Sequence, residues 1–164
     1  MKMEVEIISK EFIKPSSPTP HHLKYHKLSF FDISASVAPY IPLVLYYPIN
    51  RDTNFSSHNI HHDVSKRLHI LRQSLSETLS RFYPLAGRTK DNYFIDCNDE
   101  GVYFAEAKVK SPLNEFLKHP NLSLIYNFLP DESKMRPIPG NCVAGVQATT
   151  FSCGGIGLIL DSDV

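Results

Sequence analysis

The side chains best equipped for chemistry gather near residue 60, where His58, His61 and His62 stand beside Asp63. Imidazoles and a carboxylate this close together are zinc-ligand chemistry, and His58 and His62 would share one face if a helix began early enough to hold both. The polar stretch from Asn50 to Asn59 reads as a loop, however, and there the expectation is exposed, unliganded side chains. His21, His22 and His26 lie in or beside a predicted strand and read as surface residues that need no metal and no catalytic role.

Nucleophile chemistry finds less support. Cys97, Cys142 and Cys153 are too few and too scattered for a disulfide framework and form no C-x-x-C pair, so they are expected as reduced thiols. A Ser-His-Asp hydrolase needs its serine on a sharp turn such as G-x-S-x-G, which does not occur. Gly154 and Gly155 are not a phosphate loop, because no Gly-rich run is followed by Lys and Ser or Thr.

Charge names no partner either: seventeen basic side chains balance seventeen acidic ones, which favours neither nucleic acid nor an anionic membrane surface. The start, MKMEVEIISKEF, has no long apolar run, so neither a signal peptide nor a spanning helix is expected, and the protein is expected to be soluble and cytoplasmic. On that reading the sequons at Asn54 and Asn121 are chance matches. A chain of 164 residues suits one domain that buries ~70% of its unfolded surface.

The elements that would position these groups follow from periodicity. Val5 to Ile13 reads as a strand ended by the proline-rich PSSPTP, and Tyr25 to Phe31 as a second. The apolar run Ile41 to Tyr47 suits a strand covered on both faces. From His62 to Phe82, apolar residues recur at spacings of three and four (Val64, Leu68, Leu71, Leu75, Leu79, Phe82), which predicts a helix with Lys66, Arg67, Arg72 and Glu77 facing water. Strands are expected at Leu85–Thr89, Tyr93–Cys97 and Val102–Val109, with a turn at DCNDEG whose Asn98, Asp99 and Gly101 tolerate unusual backbone angles. Ser111 and Pro112 would start a short helix through Leu117. Pro130 to Asn141 reads as a surface loop, and Val143–Phe151 and Ile156–Leu160 as strands flanking Cys153-Gly154-Gly155.

Six segments in this order carry a resemblance: PSSPTP at Pro15–Pro20, LSFFD at Leu28–Asp32, YIPLVLYYP at Tyr40–Pro48, LRQSLSETLSRFYPLAGR at Leu71–Arg88, DCNDEGVYF at Asp96–Phe104 and FSCGG at Phe151–Gly155. Together they resemble the amino-terminal domain of the plant BAHD acyltransferases, which move an acyl group from a coenzyme A thioester to an alcohol or amine. The resemblance implies an α/β fold: an incomplete chloramphenicol-acetyltransferase-like half, a mixed sheet with flanking helices. Residues 1–164 would be a truncated first domain, with the second absent. PLAGR at Pro84–Arg88 reads as structural, its apolar residues packing the helix onto the sheet and Arg88 making an ion pair, and the resemblance implies that the glycine pair permits a close turn between strands.

The family's chemistry is direct transfer in a channel between two similar domains. A histidine of a His-x-x-x-Asp motif takes the hydroxyl proton, while the aspartate holds the loop. Counted without gaps from FSCGG, that histidine falls at about Val164, and the sequence instead closes GIGLILDSDV. The Asp-Phe-Gly-Trp-Gly motif is likewise missing, since there is no tryptophan. Asp161 or Asp163 would be a poor replacement, because an unperturbed aspartate is ~2.6 units more acidic than histidine, or ~3.5 kcal/mol less basic. Both read as part of a solvated polar end.

By resemblance, Ser34, Val37, Tyr40, Ile41 and Leu45 would line part of the acceptor pocket. The implied co-substrate is acyl-CoA, with no bound cofactor and no metal. The expectation for these residues alone is therefore no acyl transfer, with instability or self-association through a sheet edge left open at the final strand. A non-catalytic binding or regulatory module that pairs with an intact relative is the alternative.

Overall fold

The structure, a computed structural model, describes residues 4–35, 43–49, 60–91, 93–118 and 140–162. In chain order its elements are β1 (Val5–Ile13), a short 3-10 turn (His21–Leu23), β2 (Tyr25–Lys27), α1 (Phe30–Ala35), β3 (Leu43–Tyr47) and α2 (Ile60–Leu79). A second 3-10 turn (Tyr83–Ala86) leads to β4 (Arg88–Asp91), β5 (Phe94–Asp96), β6 (Val102–Val109), α3 (Leu113–Lys118), β7 (Ala144–Phe151) and β8 (Ile156–Ser162). Among the described residues the strands form a sheet ordered β1-β6-β7-β8-β3 and a smaller one ordered β2-β5-β4. Only the β6–β7 pairing in the larger sheet is parallel. The fold is thus mixed α/β, as expected.

Alternation along the strands divides the larger sheet into two faces. On one face Ile13, Phe104, Val146, Ala148, Ile156 and Leu158 meet the α2 stripe of Val64, Leu68, Leu71, Leu75 and Leu79. On the other, Val109, Phe151 and Ile159 pack against Leu113 and Phe116 of α3. The smaller sheet contributes Ile95, which clusters with Cys97 and Val143.

Several expectations need correction. The second strand stops at Lys27, because Ser29 and Asp32 start α1 instead: Ser29 donates its backbone N–H to Asp32 Oδ2 (2.7 Å), and Asp32 returns its own N–H to Ser29 Oγ (3.3 Å). Hydrogen bonding from the Ser29 side chain, and then from its backbone N–H, holds the Asp32 carboxyl below its usual pKa. α2 ends at Leu79, and Phe82 lies beyond it, exposed. Leu85 belongs to the 3-10 turn rather than to a strand, so β4 begins only at Arg88.

β3 is an outer strand of its sheet among the described residues; Leu45 packs towards α2 and Val44 and Tyr46 towards α3, so both faces of its middle are covered as expected, while Leu43 and Tyr47 at its ends are exposed. Arg72 does not face water. Its Nε reaches Glu11 Oε1 at 2.7 Å, its Nη2 bonds Glu106, and its guanidinium lies 5.0 Å from the Phe104 ring centroid. β8 is flanked by β7 and β3, so the final strand is interior, and among the described residues the sheet edges are β1 and β3. The predicted loop 50–59, both sequons and most of the loop before Asn141 lie outside the described residues.

Turn chemistry behaves as its residues require. Asp99 (φ 60°) and Gly101 (φ 100°) carry the DCNDEG turn in the left-handed region. Asp99 binds the proline-rich segment to this turn: it accepts from the Thr19 backbone N–H at 3.0 Å, from the Thr19 hydroxyl, and from Lys24 Nζ at 2.7 Å.

Candidate functional site

The β7–β8 hairpin sets where the end of the described chain emerges. At its tip the Phe151 N–H donates to Gly155 O (2.9 Å) and the Gly154 N–H to Phe151 O (2.8 Å). Gly154 takes φ 82°, and a Cβ there would come within 2.5 Å of Ile49 and 2.9 Å of Ile60. The glycine therefore lets the tip close onto the entry to α2, where Arg67 Nη1 also reaches Gly154 O at 3.4 Å. Antiparallel register then carries Leu160, Asp161 and Ser162 to the opposite end of the sheet, beside Val146, Gly145 and Ala144 of β7, with Leu160 also opposite Leu43 of β3.

Of the expected acceptor-pocket residues, Ser34 lies on α1 and Leu45 on β3, while Val37, Tyr40 and Ile41 fall outside the described residues. Leu45 pairs with Leu158 and packs, half-buried, against the core under α2. A groove of about 400 Å³ lined by Glu4, Val5, Glu6, Lys108 and Lys110 lies at the other end of the sheet from Ser162, and its mixed surface charges do not match an apolar acceptor site.

Asp161 is not part of a solvated tail. It is a half-buried residue of β8 opposite Gly145, because β7 holds the strand two residues further than its apolar run extends. Asp163 and His58 lie outside the described residues; His61 and His62 are exposed on the first turn of α2. Among the described residues no cluster of three or more histidine, cysteine or acidic side chains is placed to hold a metal ion. No described helix is long and apolar enough to cross a membrane. The three cysteines form no disulfide: Cys97 and Cys142 are buried, and burial raises the Cys97 pKa. Cys153 is half-buried and accepts the Leu113 N–H at 3.4 Å.

Arg88 plays the structural part expected of it. Its Nη1 donates to the carbonyls of Gly87 and Gly101, both at 2.8 Å, its Nε pairs with Glu100 at 3.0 Å, and its guanidinium stands 5.1 Å from the Phe12 ring centroid. This one side chain ties the PLAGR tract to the DCNDEG turn.

Buried polar groups on the α3 side of the sheet were not singled out by sequence reasoning. Gln147 donates to Thr149 Oγ1 at 3.3 Å, and both residues are almost fully buried. Their alternation with Val146 and Ala148 was the available signal. On β3, the buried Tyr46 hydroxyl finds no hydrogen-bond partner among the described residues, and burial raises its pKa. Its ring packs 5.5 Å from that of Phe116, in space left by Gly157.

Comparison with known proteins gives a consistent result. The family described as the Transferase family matches residues 3–160. The chain is 54% identical over 158 residues to an epi-neemfruitin B 7-O-acetyltransferase of Melia azedarach, covering 94% of this chain and 35% of that protein. It is also 54% identical over 160 residues to a limonoid 7-O-acetyltransferase of Citrus sinensis, with the same coverage. Salutaridinol 7-O-acetyltransferase of Papaver somniferum is 40% identical over 151 residues, covering 92% of this chain and 31% of that protein. The crystal structure of vinorine synthase superposes with a TM-score of 0.74 at 33% identity, covering 97% of this chain and 38% of that one. The chain thus spans about a third of the length of the curated relatives it matches.

Proposed function

Because this chain belongs to the BAHD transferase family, whose amino-terminal portion it matches, we propose that it forms the first of two acyltransferase domains and contributes to acetyl transfer from acetyl-CoA to a limonoid hydroxyl. The reading rests on one observation above the others: identity of 54% along nearly the whole chain to two 7-O-acetyltransferases, one named for a limonoid and one for epi-neemfruitin B, against 40% to the salutaridinol enzyme. In the reaction, a base removes the hydroxyl proton, the oxygen bonds to the thioester carbonyl carbon, the carbon–sulfur bond breaks, and the coenzyme A thiolate leaves to take up the proton. Such a base needs a conjugate acid that titrates near neutral pH. The role proposed for the hairpin is to deliver the segment after β8 to the sheet end where Ala144 and Leu43 lie. Ser34, Val37, Tyr40, Ile41 and Leu45 are proposed to contribute to the acceptor pocket, whose apolar character suits a largely apolar alcohol.

These 164 residues hold no imidazole after the glycine pair, so by themselves they are proposed to transfer no acyl group. The test joins residues 1–160 to the downstream two-thirds of the Citrus limonoid 7-O-acetyltransferase. The expected result is a folded chimera that acetylates a limonoid alcohol and releases free coenzyme A, while the 164-residue polypeptide consumes no thioester. A chimera with native circular dichroism and cooperative melting but no limonoid acetylation would overturn the substrate reading. Turnover by the 164-residue polypeptide would overturn the need for the downstream base.

A further inference from the structure

We draw no further inference here: the strongest candidate, the exposed aromatic patch that Phe30 and Phe31 form on α1 with ring centroids 6.1 Å apart, is an exposed apolar face, and nothing among the described residues shows what covers it.

Discussion

Asp99 concentrates more tertiary hydrogen bonding than any neighbour in its turn, and its charge is what makes the arrangement hold. Burial alone would raise its pKa, but the bonds from Lys24 and Thr19 favour the ionised form and leave the carboxyl below its ordinary 3.8. A carboxyl with a depressed folded-state pKa binds protons more tightly when unfolded. Its stabilisation is therefore complete above about pH 4 and fades as pH falls through the folded-state value. Asp99→Asn keeps a side chain that tolerates the left-handed backbone and removes the charge together with one of the two acceptor oxygens. It is expected to cost about 1–2 kcal/mol at pH 7 and much less near pH 3, as read by urea unfolding at each pH. An equal loss at both would argue against the ionic account. Tyr46→Phe should act in the opposite direction. Removing a buried hydroxyl that has no partner among the described residues should stabilise by about 1 kcal/mol, and a lower melting temperature would show that the hydroxyl is satisfied in solution.

Among the elements, the turns tolerate change less evenly than the helix does. A Cβ on Gly101 would lie 2.6 Å from the Ile13 carbonyl oxygen, a backbone atom held by the β1–β6 ladder, at a φ already unsuited to alanine. On Gly154 the nearest atoms are isoleucine side-chain methyl groups, which can move. Gly101→Ala is therefore expected to cost roughly 3 kcal/mol or more and Gly154→Ala about 1–2 kcal/mol. Thermal denaturation of the two variants tests the ranking, and the reverse order would refute it. In α2, Leu68→Ala removes a side chain buried where the stripe meets the sheet, with an expected loss of about 2–5 kcal/mol in the same assay.

For the molecule as a whole, β1 is the edge strand whose protection is visible in the structure. A bulge between Ile7 and Ser9 breaks its regular register, and Glu6, Lys10 and Glu11 place charges along it. Such features oppose edge-to-edge pairing, even though Ile7, Ile8 and Phe12 are exposed. Glu6→Val combined with Lys10→Val should raise the tendency to associate, seen as earlier elution and concentration-dependent light scattering. The same elution volume as the parent across the concentration range would show that these two charges are not the protection. The interior place of β8 fixes its own direction, since β7 and β3 both pair with it from Ile156 to Leu160.

The sequence by itself determined what depends on near neighbours: β6 at its observed limits, β1, the α2 stripe from Val64 to Leu79, the left-handed turn at Asp99 and Gly101, and the family kinship carried by short motifs. Periodicity and backbone tolerance are local properties, so they can be read from adjacent letters. Tertiary structure decided which strands became edges, that β8 runs on through Asp161 to Ser162, and that Arg72 is drawn between Glu11 and Glu106. Those outcomes depend on partners 61 and 34 residues away for Arg72, and on strand pairing for the rest. A strand's covering and a charge's surroundings are set by what packs against them, and periodicity along one segment carries no record of that.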